Sequence, residues 1–209
     1  LLIDDCIENA TDYNAGGARY DSSYIQGVGL GTMADSMSSI KFNCFDKQKF
    51  SLEELIETLE GNFENSQEIL DQVKKNTPKY GNDIDYVDQL MKNVFEEFFR
   101  AVDGKPNGRG GKCRVNMLPT TVHVYFGSKC GASPDGRKAG RPLSEGISPV
   151  QGMDNRGPTA VFKSVSKLDH AKTGGTLLNQ KLTPDIVKGD KEISKLARLI
   201  RAYFKMGAH

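Results

Sequence analysis

No apolar run in the 209 residues approaches the roughly 20 that a membrane-spanning helix requires. Nor is there a block or stripe of one charge. The 28 Lys and Arg are scattered among 27 Asp and Glu, for a formal net charge of +1. That balance excludes the electrostatic footprint of a nucleic-acid or membrane-binding surface. Cysteine is sparse and dispersed: Cys6, Cys44, Cys113 and Cys130 form no Cys-x-x-Cys pair and have no neighbouring histidine set. The spacing argues against a zinc site and a disulfide framework, and for reduced thiols in a cytoplasmic protein. The three histidines, His123, His170 and His209, have no ligand spacing, and no Gly-x-Ser-x-Gly elbow is present. Internal repeats and low-complexity tracts are missing. The opening "LLIDD" carries no signal-peptide pattern and no initial Met, which suggests a fragment of something larger.

What is present is a soluble, globular composition, 37% apolar and 26% charged. Residues 1–13 read as the end of a helix, with Leu2, Ile3, Cys6 and Ile7 on one face and "NAGG" (14–17) as its stop. "YIQGVGLGTMADSMSSIKF" (24–42) reads as a Gly-rich turn entering a helix. "KFSLEELIETLEGNF" (49–63) holds a capping box, Ser51 with Glu54, and a buried stripe of Leu52, Leu55, Ile56 and Leu59. A shorter helix is expected over 64–75. The longest spans 83–102, with Ile84, Val87, Met91, Val94, Phe95, Phe98 and Val102 on one broad face.

Residues 103–112 read as a loop, and "LPTTVHVYFG" (118–127) as the best strand, being β-branched and aromatic. About thirty irregular residues follow (128–157), a length that usually marks a functional loop. Pro158 opens a further helix, "GTLLNQKL" (175–182) reads as a short strand, and 191–206 as a last amphipathic helix. Helices interleaved with strands predict an α/β architecture with parallel strands. Two strands cannot complete a sheet, which again predicts a fragment.

Two glycine motifs fail their own tests. "GVGLG" (27–31) misplaces the third glycine of a dinucleotide fingerprint and follows a polar segment. "PNGRGGKC" (106–113) lacks the first glycine and the final hydroxyl of a phosphate loop. His123, in the expected strand, reads as a hydrogen-bonded structural residue. The Cys6-x-Glu8 pair resembles an activated thiol. On a helix, however, residues two apart do not face each other, and Asp4 and Asp5 oppose a thiolate. Cys6 therefore reads as structural.

Several stretches together resemble the glycyl radical enzymes, the pyruvate formate-lyase-like superfamily. They are "DDCIENATDYNAGGARY" (4–20), "GVGLGTMADSMSSIK" (27–41), "PTTVHVYFGSKCGASPDGRKAGRPLSEGISPVQGMDNRGPTAVFKSVSKLD" (119–169) and "GGTLLNQK" (174–181). The run "GASPDGRKAGRPLSEGISP" is the most specific and is typical of the dehydratase and choline-lyase branch.

The resemblance implies a much larger subunit, built on a ten-stranded α/β barrel, of which residues 1–209 are a helix-rich segment of the C-terminal half. In that family a glycine in an Arg-Val-x-Gly-Tyr motif stores a radical and passes it to a cysteine in a Gly-Cys-[Val/Ile]-Glu loop. Neither motif occurs here, so no catalytic residue is expected in this chain, and alone it is expected to be inactive. No cofactor is implied beyond the protein-based glycyl radical, which a radical S-adenosylmethionine activase installs. The other implied partners are a small-molecule substrate and a second subunit in a homodimer.

The implied reaction is elimination of water or another leaving group, with 4-hydroxyproline the first substrate considered. Glycerol or propanediol dehydration, choline cleavage and formate acetyl transfer are the alternatives, with a non-catalytic interaction domain as the contrary reading. The family places a Thr or Ser of the 118–127 stretch near the pocket. Thr120 and Thr121 are thus the candidate substrate-binding residues, undecided between them.

Overall fold

Helix α2 (Leu52–Glu60) begins where Ser51 and Glu54 close their capping box. The Ser51 hydroxyl accepts from the Glu54 amide at 3.0 Å, and the Ser51 amide donates to the Glu54 carboxylate at 2.7 Å. Two backbone donors at the helix start are thereby satisfied. The computed structural model describes residues 2–207. Readings that touch Leu1 and His209 lie outside the described residues.

Five further expected helices form: α1 (Leu30–Ser39), α3 (Gln67–Lys75), α4 (Asp85–Val102), α6 (Pro158–Val165) and α7 (Asp190–Lys205). A π-helix, Ile40–Asp46, extends α1. Leu55 of α2 and Leu70 and Val73 of α3 meet Phe50 and Phe63 in a small apolar cluster. The main core gathers Leu30 and Ala34 of α1, Val87, Met91 and Phe95 of α4, and Val161, Phe162 and Val165 of α6 around Val115 and Met117. No helix among the described residues is long and apolar enough to cross a membrane.

The core faces a parallel pair of strands, as an α/β reading requires. Strands β1 (Ser22–Gln26) and β2 (Lys112–Asn116) run in register from Ser22 opposite Lys112 to Gln26 opposite Asn116. On the other side of β2, residues 174–177 also run parallel. The Gly174 amide donates to the Val115 carbonyl at 2.9 Å, the Met117 amide to Gly175 at 2.9 Å and the Leu177 amide to Met117 at 3.1 Å. β2 is therefore the middle of three. Strand alternation sends Val115 and Met117 into the helix-packed core. Tyr24, Gln26, Arg114 and Asn116 share the opposite face, where the first three are exposed.

Three expectations are corrected. Residues 118–127 are not a strand: 118–121 make a turn that leads into helix α5 (Val122–Lys129). The β-propensity of Thr, Val and Tyr is a weak preference that packing overrides. Here Gly127 lets the helix settle on the following loop, for a Cβ at this position would run into the Arg141 carbonyl and Pro142. The helix expected over 1–13 does not form among the described residues: residues 2–12 make a series of turns, with Asp5 at φ 74° and Ala10 at φ 46°. Arg19 captures the Asp5 carboxylate with bonds of 2.9 and 2.6 Å and lowers its pKa, a pairing that holds the segment folded back. The expected strand at 175–182 shrinks to the short run beside β2. Neither regular strand is expected from the sequence: β1 overlaps the polar segment and the start of the Gly-rich turn, and β2 begins at the end of the expected 103–112 loop and runs on to Asn116.

Candidate functional site

Because β1, β2 and the 174–177 run are parallel, their carboxyl ends lie together. In α/β proteins that edge is where ligands bind. From these ends the chain continues as Gly27, as Met117-Leu118-Pro119-Thr120, and as Asn179-Gln180-Lys181. The Gln26 side chain ties two of the continuations, its amide oxygen accepting from the Leu118 amide at 3.0 Å.

A cleft of about 500 Å³ opens beside them, lined by His123 of α5, Leu143, Ser144 and Glu145 of the long loop, and Asn179 and Gln180. The loop is fastened to α1 by a reciprocal pair: the Thr32 amide donates to the Ser144 hydroxyl and the Ser144 amide to the Thr32 hydroxyl, both at 2.9 Å. It is fastened to the strand edge by the Ile147 amide, which donates to the Leu177 carbonyl at 3.0 Å. The Asn179 amide nitrogen of the main chain donates to the Ser148 hydroxyl at 2.9 Å, and its side-chain amide donates to the Glu145 carboxylate. Gly146, at φ 54°, lies against the Leu177 carbonyl, where a Cβ would collide.

His123 does not alternate with Thr121 and Tyr125 on a strand face. Its Nδ1–H donates to the Thr120 carbonyl at 2.8 Å, and the same nitrogen is 3.9 Å from the Glu145 carboxylate. The expectation of a hydrogen-bonded histidine holds, although on a helix. Thr120 sits at φ 36°, and Thr121 precedes α5 with φ −96°. Both are exposed, and neither lines the cleft. Their hydroxyls make no hydrogen bond among the described residues. Sequence reasoning missed Glu145 and Asn179. The signal was present: Glu145 stands in "PLSEGISP" and Asn179 in "GGTLLNQK", two of the stretches that carried the resemblance.

Behind the loop lies a buried polar cluster. Arg137 donates from Nη1 to the Arg141 carbonyl at 2.8 Å, from Nε to the Ser133 hydroxyl at 3.0 Å, and from Nη2 to the Gly131 carbonyl. Lys79 donates to the Asp135 carbonyl at 2.9 Å. Burial raises the Asp135 carboxyl and lowers the Lys79 ammonium. These bonds order a loop that has no regular structure of its own. Cys6 is half-buried in a turn, its carbonyl accepting from the Thr11 amide at 3.1 Å. The helix argument for its structural role therefore lapses. No group of three His, Cys, Asp or Glu among the described residues could hold a metal ion.

The pyruvate formate lyase-like family model matches residues 1–127, and the glycine radical model matches residues 143–209. The chain belongs to the pyruvate formate lyase-like family. A trans-4-hydroxy-L-proline dehydratase from Clostridioides difficile is 54% identical over 208 residues, covering 100% of this chain and 26% of the relative. The crystal structure of hydroxyproline dehydratase from that organism, with trans-4-hydroxy-L-proline bound, superposes with a TM-score of 0.95 at 54% identity over 99% of this chain and 26% of that one. A glycerol-bound B12-independent glycerol dehydratase from Clostridium butyricum gives 0.93 at 45% identity over 98% and 26%. The chain thus spans about a quarter of the length of the relatives it matches. Its helix-rich α/β fold is a fragment of the larger fold of these enzymes.

Proposed function

We propose that the full-length protein is a glycyl radical lyase that removes water from a small hydroxylated substrate, with trans-4-hydroxy-L-proline the substrate favoured. Identity carries this reading. Backbone similarity to the hydroxyproline and glycerol enzymes is nearly equal, at TM-scores of 0.95 and 0.93, whereas identity falls from 54% to 45%.

In this reading residues 1–209 supply part of the barrel wall. The strand ends at Gln26, Asn116 and Leu177 border the pocket, and a hydroxyl of Thr120 or Thr121 hydrogen-bonds the substrate. Glu145 and Asn179 line the cleft beside it. The thiyl cysteine, its glutamate and the radical glycine belong to other parts of the polypeptide, since neither family motif occurs in residues 1–209. The radical supplies hydrogen abstraction. The residues of this chain bind, orient and help exclude water and oxygen. The reading carries with it a radical S-adenosylmethionine activase, a homodimer and an anaerobic cytoplasm.

The test is the full-length protein, activated anaerobically and assayed against 4-hydroxyproline, glycerol, propane-1,2-diol and choline. Turnover of 4-hydroxyproline with a glycyl signal in electron paramagnetic resonance is expected. Turnover of another substrate alone would replace the substrate, and the absence of both signal and turnover would remove the reading. The isolated 209-residue chain is expected to be inactive.

A further inference from the structure

We propose that the cleft between the end of α3 and residues 152–156 binds the phosphate groups of a small phosphorylated ligand. The inference does not depend on the substrate reading. The cleft measures about 630 Å³, a size that takes a small molecule rather than a single ion. Its cations are Lys74 and Lys75 in the last turn of α3, then Lys79 and Arg156. No carboxylate lines it among the described residues. Lys74, Lys79 and Arg156 make no ion pair among those residues, and Lys75 pairs with Asp71, outside the lining, at 3.1 Å. In a chain whose net charge is only +1, the fold has concentrated four cations around one cleft.

The walls of the cleft are held together from within. Asn82 is 2% exposed, and its side-chain amide bonds both walls. It donates to the Lys79 carbonyl at 3.1 Å and the Met153 carbonyl at 2.8 Å, and accepts from the Asn155 and Arg156 amides at 2.9 and 3.1 Å. The turn after α3 and the segment carrying Arg156 are thereby one unit. Gly136, at φ 94°, leaves room for the Lys74 stem, since a Cβ there would lie 2.7 Å from Lys74 Cγ. Lys79 points independently to a ligand. It is 5% exposed, yet its three N–H donors find one acceptor among the described residues, the Asp135 carbonyl. The Asp135 carboxylate accepts instead from the Ser133 hydroxyl and the Arg137 amide. A buried cation short of acceptors favours an anion beside it. A phosphate group brings three acceptor oxygens and up to two charges, which suits donors from a lysine pair and an arginine. Phe42, Ile84 and Met153 add apolar lining for the body to which the phosphate is attached.

Calorimetric titration of the full-length, unactivated protein at pH 7 with pyrophosphate, inorganic phosphate and citrate tests this. Pyrophosphate is expected to bind, and more tightly than phosphate or citrate. Lys74→Gln and Arg156→Gln should each weaken pyrophosphate about tenfold, as loss of one charge-assisted hydrogen bond does. Lys92→Gln removes the same charge from α4, outside the cleft, and should leave the affinity unchanged. All three side chains are exposed, so the variants are expected to fold. The unfolding midpoint is a second readout: pyrophosphate should raise it in wild type and less in the two cleft variants. No binding at millimolar pyrophosphate, as when an acidic segment of the full-length chain fills the cleft, overturns the proposal. So does citrate bound as tightly as pyrophosphate, binding that survives both cleft substitutions, or an equal loss in Lys92→Gln.

Discussion

Asp35 is a carboxyl whose charge this fold disfavours, and replacing it with Asn should stabilise the protein above neutral pH. The residue lies on α1, fully buried. One carboxylate oxygen accepts from the Tyr80 amide at 2.8 Å, and the other has no partner among the described residues. Burial pushes the carboxyl up to about 7, against the opposing pull of Lys79 and the Tyr80 amide. A folded pKa above the unfolded one means that the folded state holds the proton more tightly. The contribution to stability is then complete below about pH 4 and is lost as pH rises through about 7.

A shift of about three units, at ~1.4 kcal/mol each, sets an upper bound near 4 kcal/mol. Asp35→Asn keeps the acceptor for Tyr80 and cannot ionise. It also removes a counter-charge from Lys79, whose ammonium burial already disfavours. That loss is partial, since Lys79 still donates to the Asp135 carbonyl. Deducting ~1–2 kcal/mol for it leaves a net gain of about 2 kcal/mol at pH 8 and close to none at pH 5. Calorimetric unfolding midpoints of the full-length protein from pH 5 to 8 measure this. The midpoint of wild type should fall relative to the variant as pH rises. Parallel curves, or a variant less stable at pH 8, would show that the Asp35 charge is repaid by Lys79 and that the reasoning is wrong.

Lys167 bonds the buried Asp88 at 2.6 Å and also reaches Asp85 and Asp83. Lys167→Met should cost about 3–5 kcal/mol at pH 8 by stranding the Asp88 charge. Part should return in acid, because burial already raises the Asp88 carboxyl and protonation removes its charge; midpoints at the two pH values check both. Gly127→Ala pushes a methyl group toward the Arg141 carbonyl and should cost about 1–3 kcal/mol, read as a lower midpoint and faster proteolysis of the 128–157 loop. Cys6→Ala should leave turnover of the activated full-length enzyme largely intact. A folded variant unable to abstract hydrogen would contradict that. Tyr125→Asp should destabilise the full-length protein more than the 209-residue chain, where the side chain is 61% exposed; equal shifts would mean that nothing further packs on α5.

Six of the helices were legible because each advertises itself locally. Ser51 and Glu54 mark a start, Pro158 marks another, and the spacing of Val87, Met91 and Phe95 marks a buried face. The parallel arrangement was legible from the interleaving of elements. The strands were not, for a reason visible in their composition. β1 is "SSYIQ", none of it buried, and β2 is "KCRVN", which sends only Val115 into the core. A strand with no buried residue, and one whose only buried residue is Val115, give no alternation strong enough to read. In the N-terminal segment the apolar spacing suits a helix, but residues 2–12 turn instead, and the Asp5–Arg19 pair that accompanies those turns joins positions fourteen apart, which no local pattern announces.

The error at 118–127 and the unresolved choice between Thr120 and Thr121 share one origin. In α5, Val122, Val124, Tyr125 and Phe126 are all exposed, so apolar residues lie around the whole helix and no period distinguishes helix from strand. A helix apolar on every side is one enclosed on every side. No property of residues 118–127 by itself reveals what covers those side chains. The same helix turns the Thr120 carbonyl toward His123, and the candidate site follows from that geometry. His123 and Glu145 are 22 positions apart, and Glu145 and Asn179 a further 34. Residue types in the sequence could nominate each of them. Only the meeting of α5, the long loop and the 174–177 run makes them one site.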